Sequence, residues 1–371
     1  HGIDDIFQNR EVMGDFIRVT FKNKQNIVYN NKLLSNEWFD GIYPTNDGFF
    51  HCVNNEGFYE YNIVDKKGIV FPKNFEGSTY FFKFNPRKDL FMVYNNGATC
   101  LYKRGNNSPV SERCLEISQL KDGYARALHR TMKSAYNFFD NNGNTMWDEW
   151  KKINIDPSST WSEKRQMIFD DNFQTCNFID IETGEIISEE WFLKADDFQL
   201  GTAKVTNEKN MCNLLRTDGT LVSEKWFDNV VNFGHHGFYR ILMNGKETFL
   251  NKDGDFPIKK SWKYAVFFDG KYGLVKETDA NTTILIDKNG DEIATINENC
   301  YTIINQKIIV SVDVYYHYSF FTIDGNYIME PKLKPTTISN PKEGCLYLIN
   351  RRGVIYELDL NNGDSRIINQ R

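Results

Sequence analysis

The sequence predicts an all-β chain of about ten tandem repeats, each roughly 37 residues long. Three observations predict it. Turn-type glycines return at one period, short strand-like apolar runs flank each of them, and an aromatic residue recurs at a fixed distance beyond. The composition agrees, because 29 Phe and 19 Tyr in 371 residues suit half-buried pleated strands better than helices.

The period is read from the turns. Gly68, Gly105, Gly143, Gly184, Gly219, Gly254, Gly290, Gly325 and Gly363 are separated by 37, 38, 41, 35, 35, 36, 35 and 38 residues, and Asn31 lies 37 before the first of them. Asp65-Lys-Lys-Gly68, Asp140-Asn-Asn-Gly143, Asn251-Lys-Asp-Gly254 and Asp287-Lys-Asn-Gly290 share one shape. An Asp or Asn opening such a turn bonds the backbone N–H two residues on. The closing glycine accepts the positive φ that a compact hairpin needs. Calcium binding is the functional alternative for Asp-rich turns, but the Asp-x-Asp-x-Asp-Gly spacing of an EF-hand is not met.

Before each mark runs a short apolar segment, as in Asn62-Ile-Val-Asp65, Asn137-Phe-Phe-Asp140, Asn177-Phe-Ile-Asp180 and Asn213-Leu-Leu-Arg216. Trp38, Phe75, Trp150, Trp191 and Trp226 lie seven residues beyond their marks, and Trp262 lies eight beyond. The fullest versions read Leu34-Ser-Asn-Glu-Trp38-Phe39-Asp40, Ile187-Ser-Glu-Glu-Trp191-Phe192 and Val222-Ser-Glu-Lys-Trp226-Phe227-Asp228. A third run follows, often opened by glycine, as in Gly201-Thr-Ala-Lys-Val205 and Gly237-Phe-Tyr-Arg-Ile241. Its alternation suits a strand with one buried face. Trp191 and Trp226 are expected to fill the space between neighbouring repeats, since one Trp buries about 150–250 Å². The competing reading is an exposed aromatic ladder for sugars or bases. Ser35, Ser188 and Ser223 are expected to bond local backbone, not to act as nucleophiles.

At these residues the chain resembles the WG-repeat family, tandem β-rich units of many bacteria and their phages. The likeness is best around Trp38, Trp191, Trp226 and Gly270-Lys-Tyr-Gly-Leu-Val275, where Tyr272-Gly273 stands in for the Trp-Gly pair that names the family. Residues 80–120, 144–172 and 296–320 depart furthest from it. The family has no common catalytic set, so the resemblance implies the fold and a generic binding or scaffold role.

One array over 1–371 is expected, with a propeller-like toroid favoured over an open β-superhelix or two smaller rings. The argument is one of phase. After Gly363 only eight residues remain, whereas Ile3-Asp-Asp-Ile-Phe7 has the pattern of the missing strand and no turn before it. Pairing Ile3–Phe7 with residues near Ser365–Asn369 would close a ring without a bare edge.

The remaining features narrow the function. Net charge is −6, and the longest basic clusters are the doublets Lys151-Lys152, Lys259-Lys260 and Arg351-Arg352, so no nucleic-acid footprint is expected. No apolar run approaches the ~18 residues of a membrane span. Seven cysteines at 52, 100, 114, 176, 212, 300 and 345 include no Cys-x-x-Cys pair, which points to reduced, structural thiols and a reducing cytoplasm. The chain begins His-Gly without an initiator Met, so a processed secreted form is the alternative. No catalytic residue, metal ligand or cofactor site is assigned, and no nucleophile elbow, phosphate loop or zinc motif occurs. His235-His236 read as a solvated loop, because adjacent side chains on an extended chain point apart.

The expected function is a non-enzymatic binding or structural module facing a protein or polymer partner, and a phage role fits the same features. The alternatives are a carbohydrate-binding protein and a propeller-type glycoside hydrolase with paired carboxylates.

Overall fold

The computed structural model describes residues 9–45, 48–55, 59–77, 79–85, 89–232, 237–313, 315, 318–328, 337–338, 344–349, 354–359 and 364–369. Ile3–Phe7, His235, His236 and Gly363 lie outside the described residues, and with them the proposed ring-closing strand. Among the described residues there is no α-helix, and every strand pairing is antiparallel. None of the described residues forms a helix long and apolar enough to cross a membrane.

The chain divides into two compact units. One comprises His1–Thr160, Gln166–Phe173 and Ile179–Ile186. Its sheets run in chain order, first Asn9–Met13 through Lys32–Leu33, then Gly41–Pro44 through Gly68–Ile69 with Phe75–Glu76 paired back to Glu60–Asp65. A seven-stranded sheet follows, from Thr79–Asn85 to Lys151–Lys152. The other unit comprises Trp161–Arg165, Gln174–Phe178 and Ile187–Arg371. It holds five sheets of three or four strands, beginning with Lys194–Ala195, Thr202–Thr206 and Cys212–Arg216 and ending with Ser365–Asn369.

The apolar doublets have a direct structural reason. Successive residues of a strand face opposite sides, and many of these strands are covered on both. Leu250 packs with Cys212, Leu214, Phe227 and Ile241, while its neighbour Phe249 packs with Ile258, Trp262, Phe268 and Ile286. Leu274 and Val275 divide between consecutive clusters in the same way, as do Leu285 and Ile286. A strand buried on both faces reads as a continuous apolar run, which is what Asn213-Leu-Leu and Thr283-Ile-Leu-Ile show.

The turns form as the sequence predicts. All eight described glycine marks have positive φ, between 72° and 108°, and Asn31 has φ 58°. The opening side chain bonds the N–H two residues on in each quoted turn: Asp65 Oδ1 accepts from Lys67 at 2.8 Å and Asp140 Oδ1 from Asn142 at 2.7 Å. Asn251 Oδ1 accepts from Asp253 at 3.0 Å and Asp287 Oδ1 from Asn289 at 2.8 Å. Backbone N–H donation from Asp291 and Asn289 holds the Asp287 carboxyl below its ordinary value. Some marks carry a second constraint. A Cβ on Gly219 would lie 1.5 Å from Ile187 O, and one on Gly254 would lie 2.1 Å from Val222 O. Ile187 and Val222 each stand three residues after the preceding mark, so the turn of one repeat seats on the backbone of the repeat before it.

The recurring Trp corrects an expectation. Trp191 is 37% exposed, and Trp38, Trp150 and Trp226 are half-buried, whereas Phe39, Phe192 and Phe227 are at most 1% exposed. The core position is eight residues beyond the mark, not seven. There the backbone makes a two-way bridge to the strand before the turn: Phe192 to Cys176, Phe227 to Cys212, Phe39 to Gln25. Trp262, buried at 5%, makes the same bridge to Glu247 because it occupies position eight. A shift of one residue along extended chain changes the face a side chain meets. Phe192→Ala is therefore expected to cost about 3–5 kcal/mol, and Trp191→Ala no more than about 1–2 kcal/mol. Amide exchange at Cys176, whose N–H donates to Phe192 O at 2.8 Å, measures the difference. Equal losses would place both rings in the core.

Candidate functional site

The serines behave as expected. Ser35, Ser188 and Ser223 Oγ accept from the N–H of Glu37, Glu190 and Lys225 at 2.9, 3.2 and 3.1 Å. None has a base beside it in these contacts. A recurring buried Asn holds the same loop from behind. Asn213, fully buried, donates through Nδ2 to Ser223 O at 2.7 Å and Lys225 O at 3.1 Å, and its Oδ1 accepts from Leu214 N–H at 2.8 Å. Asn26 and Asn177 make the equivalent set, and Asn62 and Asn137 make variants of it. This clip fixes the residues that precede the half-exposed Trp. It was not read from the sequence, although Asn opened every one of the quoted apolar runs.

One such loop borders a cleft of about 310 Å³ in the unit that contains Ile187–Arg371. Its apolar lining is formed by Met243, Phe256 and Ile258. Met243 ends a strand at the Asn244-Gly245 hairpin, where both turn residues have positive φ (51° and 73°), and Lys246 begins the returning strand. Phe256 and Ile258 follow the Gly254 turn. Thr248 Oγ1 ties the two segments together by donating to Lys260 O at 3.0 Å.

Four lysines line the cleft: Lys225, Lys246, Lys259 and Lys260. Lys260 Nζ is engaged, donating to Gly290 O at 3.0 Å and Asp291 Oδ1 at 2.7 Å. The other three ammonium groups are exposed and make no ion pair among the described residues. No Asp or Glu lines the cleft. A signal for it exists in the sequence. Six residues beyond their marks, Glu37 and Glu190 are acidic, but Lys225 and Lys260 stand at the same position in the two repeats that build the cleft.

A second, smaller cavity of about 90 Å³ surrounds Arg126, with Glu116 and Tyr136 in its wall. Arg126 is already satisfied there, donating to Ser159 O at 3.0 Å, Pro157 O at 2.8 Å and Gln166 Oε1 at 3.2 Å. It anchors loops.

Carboxylates elsewhere are drawn into local structure. Asp65 and Asp89 pair with Arg104, Asp89 also with Lys67, and Glu298 accepts from Ser311 and Tyr327. That contact follows burial in raising the Tyr327 hydroxyl to about 12. Among the described residues no group of three or more His, Cys, Asp or Glu is placed to hold a metal. Among the described residues no disulfide forms, and the cysteines apart from Cys345 are buried; burial pushes the Cys114 and Cys300 thiols up to about 12.

No protein-family model matches the chain and no curated protein matches it, so the resemblance to WG repeats gains no confirmation there. Among solved structures the chain is similar to BamB from Moraxella catarrhalis, at 13% identity over 80% of this chain and 98% of that one, with a TM-score of 0.32. It is similar also to the computationally designed Ika8 protein, at 10% identity over 88% and 96% with a TM-score of 0.24. A third is KlHsv2 with loop 6CD replaced by a Gly-Ser linker, at 14% identity over 79% and 98% with a TM-score of 0.27. Scores this low carry no argument, and the all-β repeat character rests on the pairing and burial described above.

Proposed function

We propose that this chain is a non-enzymatic binding module, one tandem array that presents the loops after its turns to a protein partner. The observation that carries the reading is the cleft beside Gly254. Its lining combines apolar side chains with lysines and has no carboxylates, a set suited to holding a ligand and not to acid–base hydrolysis. The rigid backing agrees with it, because the Asn213 clip and the Gly254 turn fix the cleft walls before any ligand arrives. The reading is the same for a closed toroid, an open superhelix or two smaller rings.

The carbohydrate-binding alternative keeps one observation of its own, the exposed Trp191 and half-buried Trp38 and Trp226. One experiment separates the two. The purified chain is offered to a random peptide library displayed on yeast and, in parallel, to a glycan array. Enriched peptides whose binding is lost in a Lys246→Glu, Lys259→Glu variant are the expected result. Glycan binding that Trp191→Ala abolishes, with no peptide enriched, would overturn the protein-partner reading.

A further inference from the structure

We infer that the cleft receives an acidic, extended peptide segment that carries one large apolar side chain, a ligand class that deepens the binding-module reading and rests on it. Three features select this chemistry. Lys225, Lys246 and Lys259 line the cleft, are exposed, and have no carboxylate partner among the described residues, in a chain whose net charge is −6. Cations gathered at one cleft with no carboxylate in its lining set up a local field that draws anions toward it. The charge at Lys225 and Lys260 is also opposite in sign to that of Glu37 and Glu190, which stand at the same place in two other repeats.

The apolar lining makes the second selection. Ile258 is buried at 2%, and Met243 and Phe256 are only partly covered, so apolar surface remains accessible in the lining. A volume of about 310 Å³ accommodates one large side chain with the backbone that bears it. Methionine adapts its shape and Phe256 offers a ring face or edge, which suits an aromatic or long aliphatic residue. A free phosphate chain would satisfy the lysines and leave this apolar lining against water.

The third selection is against nucleic acid. Lysine is a point charge, and the lining contains no arginine fork and only one aromatic ring, whereas single strands are held by successive stacking platforms. Asn244 and Ser261 at the rim supply neutral donors and acceptors for a peptide backbone.

The test is fluorescence anisotropy with a fluorescein-labelled peptide of alternating Glu and Asp around one central Phe. Three comparisons accompany it: the same peptide with Gly for Phe, inorganic tripolyphosphate as competitor, and a titration from about 0.05 to about 0.5 M salt. The expected result is saturable binding that weakens about tenfold or more in Lys246→Glu, Lys259→Glu. Binding should also weaken with salt and be several-fold poorer for the Gly peptide. A Lys32→Glu, Lys66→Glu variant makes the same charge change at exposed lysines of the other unit and should bind as the wild type does. Equal loss in both variants, equal affinity for the Gly peptide, or tighter binding of tripolyphosphate overturns the proposal. If library peptides bind through the cleft but are not acidic, the ligand class fails while the binding-module reading stands. If no library peptide binds at all, the module reading itself has failed.

Discussion

Replacing Gly219 by Ala is expected to destabilise its unit by about 3 kcal/mol or more. Two costs combine. The backbone sits at φ +84°, where a Cβ costs an L-residue about 1–2 kcal/mol. The added carbon would also stand 1.5 Å from Ile187 O, and that carbonyl cannot swing aside as a side-chain tip could. Relief requires the turn to move away from the preceding repeat, with the usual overpacking cost of about 1–3 kcal/mol. Gly201 supplies the control, because it has φ +86° but no neighbouring atom within 4 Å of the point where its Cβ would stand. Gly201→Ala should therefore show the conformational cost alone, about 1–2 kcal/mol. Amide exchange at Leu214 and Val222 reads both variants locally, which avoids treating so long a chain as two-state. Equal protection in the two would mean that the close approach to Ile187 does not exist in solution.

Asn213→Ala is expected to cost about 3–5 kcal/mol and to weaken the cleft at the same time. The side chain is fully buried and makes three hydrogen bonds, two of them to the carbonyls of Ser223 and Lys225. Removing it strands those carbonyls and the Leu214 N–H, and each buried group left unpaired costs about 1–3 kcal/mol. Partial rescue by water keeps the sum below the full total. Thr248→Ala is the comparison, since Thr248 holds its loop through one bond to Lys260 O and should cost only about 1–2 kcal/mol. Exchange of the Val222 amide, which bonds Leu214 O at 2.8 Å, follows the first variant. A loss no larger than that of Thr248→Ala would show that the clip is decorative. Because Lys225 belongs to the clipped loop, peptide affinity should fall in Asn213→Ala before the unit unfolds.

The parts of the fold that depend on adjacent residues were legible in the sequence. Asp65, Asp140, Asn251 and Asp287 bond backbone two residues away, and the glycines that close those turns need nothing distant to declare their conformation. Ser35, Ser188 and Ser223 were legible for the same reason. What escaped depends on facing and on neighbours one repeat away. Trp191 is the larger ring, yet Phe192 makes the bridge to Cys176 and goes inward. Composition favours the wrong member of the pair, and only Trp262, set one residue later, hinted at it. Asn177 and Asn213 are polar residues at the head of apolar runs, and their partners ten to thirteen residues on become visible only when the loop folds back. The cleft was the least legible, because Lys225 and Lys259 come from successive repeats and Lys259-Lys260 alone is an ordinary doublet.

The sheets follow one another along the chain, and within each sheet every strand is bonded to the one made just before it, with Phe75–Glu76 the one departure among the described strands. Such pairing keeps the mean separation between contacting residues short, and low contact order speeds folding because little loop entropy is lost before contacts form. A nascent chain leaving the ribosome could therefore complete each hairpin from residues already synthesised, without waiting for a distant strand. Within a sheet, the edge exposed on the way is covered by the next strand to emerge. For a protein so rich in Phe and Ile, order of synthesis then becomes a safeguard against aggregation as well as a route to the native state.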